Sequence, residues 1–264
     1  MAHAFENVIS YPITNRLIKK PRNEGLTMVI DTGLGVRYAQ DLVDIAGEYI
    51  DFIKLGFGTS RLINIDIIKK KISIYRDYSI DVYPGGTLLE VAFIQGKLYE
   101  FLDEANNIGF TAIEVSDGTI PINDEQRVEI IEAAKERGFK VITEVGKKDA
   151  ARDLTSAEYA KAIKRDLDLG VFKVIVEARE AGRGVGIYDE KGDVREDKLW
   201  TIVKDIDVRN LIFEAPNRNQ QVYLILKFGP NVNLGNIHPN DVIPLEALRR
   251  GLRADTLKTL ISVK

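Results

Sequence analysis

The sequence predicts a single-domain (β/α)8 barrel, and three observations carry that prediction. Eight short runs rich in β-branched and apolar residues alternate with segments of helical period from Met28 onward. The repeat recurs at intervals of about 30 residues, the length of a parallel strand–helix–strand unit. No composition break, Pro/Ser linker or low-complexity stretch divides the 264 residues, a length ordinary for one barrel.

The runs read as strands are MVID (28–31), YIDFIKL (49–55), IDVY (80–83), FTAIEVS (110–116), FKVITEV (139–145), VFKVIVEAR (171–179), NLIFEA (210–215) and NVNL (231–234). Helical spacing covers Val36–Gly47, Arg61–Tyr78, Leu88–Ile108, Asp124–Arg137, Ser156–Leu169, Asp197–Lys204 and Gln220–Lys227. Gly109, Gly138 and Gly170 each stand just before an apolar strand residue, where a helix ends in a left-handed residue. Residues 1–27 read as an N-terminal extension that includes a loose start, and residues 28–264 as the barrel.

Composition removes several chemistries. The chain has no cysteine and two histidines, His3 and His238. Disulfides, thiolate metal sites and cysteine nucleophiles are therefore out, and an imidazole-rich zinc site cannot be built. Lys+Arg 37 against Asp+Glu 40 gives a formal charge of −3, without the basic surplus of a nucleic-acid binder. No apolar run reaches the roughly 20 residues of a membrane span, and no leader-like apolar segment opens the chain. A cytoplasmic protein without nucleic-acid or membrane partners is expected; a homo-oligomer is compatible with the sequence.

Along a barrel strand one parity faces the helices and the other the interior, with function at the C-terminal ends. This places Lys173, Ile175, Glu177 and Arg179 inward on the sixth strand, and Phe172, Val174, Val176 and Ala178 outward. Ile142 and Glu144, Ala112 and Glu114, and Ile212 and Glu214 follow on their strands. Val29 and Asp31 on the first strand and Asn233 on the eighth complete the assignment, with Lys54 and Phe52 sharing one parity. Several carboxylates buried together need a cation. Glu144, Glu177 and Glu214 on three consecutive strands, with Glu114 beside them, suit Mg2+, a hard ion that takes oxygen ligands.

The longest connection, residues 178–193, carries Arg179, Arg183 and Gly184 and reads as a lid over an anion or, in its distal half, as a surface hairpin. The phosphate position common in barrels, after the last two strands, falls here on Asn217, Asn233, Gly235 and Asn236. Arg249, Arg250 and Arg253 read as a solvated helix face, and His238 as a loop residue.

Long ordered motifs then carry a resemblance. YIDFIKLGFGTS (49–60), VYPGGTLLE (82–90), GFTAIEVSDGT (109–119), ITEVGKKD (142–149), VIVEAREAGRGVG (174–186), IFEAPNRNQQ (212–221), FGPNVNLGNI (228–237) and LEALRRGLRADT (245–256) together resemble the phosphosulfolactate synthase family. The resemblance implies a Mg2+-dependent (β/α)8 carbon–sulfur lyase that adds sulfite to phosphoenolpyruvate, giving (2R)-phosphosulfolactate on the route to coenzyme M. It implies that Lys147, in the motif EVGKK, is the proton donor, that Arg179 and Arg183 pair with phosphate or sulfonate, and that Lys54 assists from the second strand. One position departs: Asp31-Thr32-Gly33 stands where the family resembles Asp-Lys-Gly. That change keeps three alternatives in view: a relative acting on another phosphorylated or anionic substrate, a Schiff-base aldolase using Lys54 or Lys147, and a non-catalytic, stress-associated barrel.

Overall fold

The computed structural model describes residues 3–147, 154–178 and 181–261. Among them eight parallel strands run in the order β3-β2-β1-β8-β7-β6-β5-β4. They are β1 (Thr27–Asp31), β2 (Phe52–Leu55), β3 (Asp81–Pro84), β4 (Ala112–Val115), β5 (Lys140–Val145), β6 (Lys173–Val176), β7 (Leu211–Glu214) and β8 (Leu234–Ile237). The seam between β3 and β4 has no regular ladder. It is bridged instead by Thr111, whose backbone N–H donates to Val82 O (3.0 Å) and whose hydroxyl oxygen accepts from Val82 N–H (3.0 Å). The barrel is thus nearly closed.

Helices lie outside the strands: α1 (Val36–Ala46), α2 (Thr59–Leu62), α3 (Ile65–Asp77), α4 (Gly86–Ile94), α5 (Leu98–Ile108), α6 (Asp124–Glu136), α7 (Ser156–Asp168), α8 (Glu196–Val203), α9 (Arg218–Phe228), α10 (Val242–Arg249) and α11 (Ala254–Ile261). Two segments expected to be continuous are split. Asn64 accepts a hydrogen bond from Asp66 N–H and starts α3 afresh, and Gly96, at φ 66°, separates α4 from α5. Side-chain caps explain other starts: Asn123 and Gln126 at α6, and Thr155 and Glu158 at α7, bond reciprocally, satisfying amides that a helix start leaves open.

Two apolar layers hold the fold. The larger packs the outward strand residues, such as Val29, Ile53, Val82, Ile113, Val141, Val174 and Phe213, against the helices. The smaller fills the barrel itself with Leu26, Met28, Phe52, Tyr83, Ala112, Ile142, Ile175 and Ile212. Five strands then place a charged residue two positions after an interior apolar one: Lys54, Glu114, Glu144, Glu177 and Glu214. Because side chains alternate across a strand, a spacing of two keeps both on the inner face. The apolar layer is a floor, and the charged layer above it lines the C-terminal mouth.

The first strand corrects the expected parity. Met28 is interior and Val29 lies in the outer layer. Asp31 likewise turns outward, its Oδ2 2.6 Å from Lys71 Nζ on α3 and accepting from Tyr75 Oη at 2.9 Å. A polar residue was expected inside, but here the partner cation is buried behind the strand. Phe172, expected outward, packs beneath the barrel floor, 5.9 Å from Phe52 between ring centroids.

The residues before β1 belong to the barrel's N-terminal end. Arg16 pairs with Glu246 (3.0 Å) and Arg22 with Asp51 (2.9 Å), all four buried. Arg249 is fully buried and donates to Val232 O (2.7 Å) and Leu26 O (3.2 Å). Arg250 is also buried and pairs with Glu246 (2.7 Å). The expectation of a solvated arginine face fails for these two because they seal the bottom of the barrel through ion pairs and carbonyls.

Candidate active site

A cavity of about 650 Å3 opens at the C-terminal end of the strands, lined by Lys54, Glu114, Glu144, Glu177, Glu214 and Asn236, and rimmed by Phe57, Leu88 and Val91. Lys54 is its hub. Its Nζ lies 2.9 Å from Glu114 Oε2, 3.3 Å from Glu144 Oε2 and 3.6 Å from Glu214 Oε1. Burial alone would lower the pKa of this amine, but Glu114, Glu144 and Glu214 outweigh it and hold the pKa well above the ordinary lysine value. Lys54 is therefore a fixed positive charge.

The four carboxylates divide into one and three. Glu114 Oε1 accepts from Gly86 N–H (2.8 Å) while its Oε2 meets Lys54, so it ties the start of α4 to β4. Glu144, Glu177 and Glu214 each offer an oxygen, and these oxygens lie within 4.8 Å of one another. All three residues are buried. Burial, only partly offset by Lys54, raises the Glu214 carboxyl to about 7, although Ala178 N–H donates to its Oε2 at 2.9 Å.

Two glycines let the backbone close around Glu177. A Cβ on Gly146 would sit 2.5 Å from Glu177 Cβ, and one on Gly186 would sit 2.1 Å from Glu177 O. Neither contact is compatible with a side chain, so these glycines pack the site and leave Glu177 between the loops after β5 and β6.

Lys147 follows β5 and does not line the cavity. Its Nζ donates to Asp117 Oδ2 (2.5 Å) and to Asp117 O (2.8 Å). Asp117 in turn meets Arg127 (3.4 Å), whose guanidinium is buried against Asp166 (2.5 Å) and donates to Glu144 O (3.1 Å). This chain of charges joins Lys147 to the strand that carries Glu144. Asp117 and Arg127 were not among the expected site residues; the position of Asp117 just past the C-terminal end of β4 was the available signal.

Other expected residues are dispersed. Asn233 lies at the opposite end, because β8 begins at Leu234 rather than Asn231. There it accepts from Leu26 N–H (3.0 Å) and donates to Arg209 O (2.9 Å) and Leu211 O (2.7 Å). Asn217 caps α9 and donates to Ala181 O (3.0 Å). Arg183 faces a second cavity with Arg218 and Lys191, and Gly184 packs against Glu190. Residues 181–194 are a packed hairpin: Ile187 and Tyr188 are buried, Tyr188 bridges Val194, and Tyr188 Oη donates to Glu214 O (2.8 Å). Arg179 lies outside the described residues. His238 is an exposed loop residue whose Nδ1 accepts from Asn240 N–H (3.2 Å).

Among the described residues no helix is long and apolar enough to cross a membrane. The fold matches that of a 3-hexulose-6-phosphate synthase crystal structure with a TM-score of 0.53, at 14% identity over 90% of this chain and 97% of that one, a likeness of architecture alone. A protein named phosphosulfolactate synthase from Methanocaldococcus jannaschii is 50% identical over 234 residues, 88% of this chain and 93% of that protein. One of the same name from Bacillus subtilis is 43% identical over 240 residues, 90% and 94% of the two chains. Residues 15–255 match the (2R)-phospho-3-sulfolactate synthase family as a whole, which takes in the arginine-bound segment before β1. The chain belongs to that family.

Proposed function

We propose that the protein catalyses the Mg2+-dependent addition of sulfite to phosphoenolpyruvate, giving (2R)-phosphosulfolactate. The observation that carries this reading is the convergence of Glu144, Glu177 and Glu214, with oxygens within 4.8 Å of one another, in the mouth cavity of a chain from this family. Three buried carboxylates form the hard oxygen set that suits Mg2+, so the residues present fit the ion. Bound there, Mg2+ supplies Lewis-acid stabilisation of the negative charge that grows on the substrate carboxylate during addition.

The chain's own residues supply the rest. Lys54 holds Glu114, Glu144 and Glu214 in place and offsets part of their mutual repulsion. The sulfite sulfur donates its lone pair to the methylene carbon, forming the C–S bond. The π pair of the alkene moves toward the carbon bearing phosphate and its carboxylate, and Lys147, turned from Asp117 into the cavity, delivers a proton to that carbon. No oxidant or further reactant is needed. Before that turn Asp117 holds Lys147 beside the mouth through its carboxylate and its carbonyl, and Asp117 is itself held by Arg127. Delivery of the proton from one side fixes the configuration at the new centre. A Schiff-base role for Lys54 is disfavoured by its three carboxylate neighbours, which keep the amine protonated and non-nucleophilic.

The protein incubated with phosphoenolpyruvate, sulfite and Mg2+ and followed by 31P NMR should convert the phosphoenolpyruvate resonance into that of a new phosphate ester. Unchanged phosphoenolpyruvate under these conditions refutes the assignment.

A further inference from the structure

Asn236 is an unusual residue for a cavity wall. It sits near the C-terminal end of β8 with φ 53°, in the left-handed region. It is 6% exposed, and its Oδ1, shut off from solvent, has no hydrogen-bond partner among the described residues. It also lines the cavity that holds Lys54 and the four carboxylates. Of the four described non-glycine residues with left-handed φ, Phe57 and Asn236 both line this cavity.

Each feature alone has a bland account, since asparagine tolerates the left-handed region better than most residues. Together they are two local costs at one position. A buried amide end without a partner is unfavourable, and a glycine at residue 236 would remove both that cost and the backbone strain. Asn233, three residues earlier, makes the contrast: it is also buried, and both ends of its amide are bonded to the backbone. A buried amide whose oxygen finds no partner among the described residues is poorly explained by the fold alone and is available for something that enters the cavity.

The chemistry of that occupant follows from the wall. The carboxylates and Lys54 already answer one another and a divalent cation, so an anion arriving beside them needs donors that are not engaged in that cage. Beside its enclosed oxygen the Asn236 amide carries an N–H2 group, a donor of the kind such an anion needs. We infer that Asn236 is a substrate-contacting residue, whose amide donates a hydrogen bond to an oxygen of the oxyanionic ligand and takes no part in holding the metal. This assignment rests on the proposed function for the placement of the substrate, and it adds a specificity residue on β8 to the groups named there.

The test is titration calorimetry on the full chain and on Asn236→Gly, with three probes in the presence of Mg2+: phosphoenolpyruvate, inorganic phosphate and sulfite. Mg2+ alone is titrated as a fourth. Glycine suits φ 53°, so the variant should melt no lower than the parent, and circular dichroism verifies its fold. Loss of one hydrogen bond to a charged group predicts about a ten- to hundredfold weaker affinity for the bound anions, with Mg2+ affinity unchanged. Anion affinities within twofold of the parent overturn the inference. So does an equal loss of Mg2+ affinity, which would make Asn236 part of the metal site. If the parent binds phosphate or sulfite but not phosphoenolpyruvate, the proposed function fails while the same comparison still decides the role of Asn236. If it binds none of the three, both fail.

Discussion

Lys54 Nζ lies 2.9 Å from Glu114 Oε2 in the barrel mouth, and the same ammonium reaches Glu144 and Glu214. One lysine on β2 thus restrains carboxylates from β4, β5 and β7. Replacing it by an apolar isostere, Lys54→Met, removes the cation and leaves the acids buried together. Breaking a buried ion pair from one side costs about 3–5 kcal/mol, so urea denaturation should show a loss of that order at pH 7. Added Mg2+ should restore more stability to the variant than to the parent, because the ion compensates the same charges. Unchanged stability of Lys54→Met would contradict the cage.

Lys147 is held at two points by Asp117, outside the buried cage. Its removal should therefore affect turnover and spare the fold. Lys147→Met is expected to lower kcat by about 10²-fold or more, the usual contribution of a positioned acid, with an unchanged melting temperature. A near-normal rate of product formation would remove Lys147 from the proton transfer.

Glu214 gives the metal-free protein a pH dependence whose sign is unusual for a carboxylate. Burial raises its pKa from 4.5 to about 7 in the folded state. Between those two values the folded chain holds a proton that the unfolded chain has released, so this group's contribution to stability falls as pH rises through the window. Melting temperatures with chelator present, measured from pH 5 to pH 8, should decline more steeply for the parent than for Glu214→Gln. Parallel profiles would show that Glu214 does not titrate in this range.

Gly86 closes the seam between β3 and β4 at the mouth. Its N–H bonds Glu114, and a Cβ there would sit 2.5 Å from Ser116 Oγ and 2.6 Å from Glu114 Oε1. Gly86→Ala should displace Glu114 from Lys54, with a stability cost of about 1–3 kcal/mol for the overpacking and a larger proportional loss of activity. A fully active variant would mean that the Glu114 tether is dispensable.

Much of the barrel mouth was legible in the sequence because strand parity is written locally. The spacing Ile142-x-Glu144, Ile175-x-Glu177 and Ile212-x-Glu214 puts an apolar floor and a charged rim on one face of successive strands, and strand parity is a local property. Parity failed at Asp31, whose partner Lys71 comes from a helix 40 residues away, a pairing no local pattern contains. The eighth strand was placed three residues early because Asn231-Val-Asn-Leu234 alternates like a strand while the backbone still forms a turn beneath the barrel. The same displacement hid the difference between Asn233, bonded on every side, and Asn236, which faces the cavity. The network from Asp166 through Arg127 and Asp117 to Lys147 joins residues as much as 49 positions apart and emerged only with the fold.

The proposed addition requires that Glu144, Glu177 and Glu214 together hold a divalent ion. Calorimetric titration of Mg2+ into the chelator-stripped protein, beside Glu177→Gln, tests it most directly. One ion should bind per chain, with an affinity weaker by at least about tenfold in the variant, since disturbing even the groups behind metal ligands costs that much. Equal binding by the two proteins, or no binding by the parent, would contradict it.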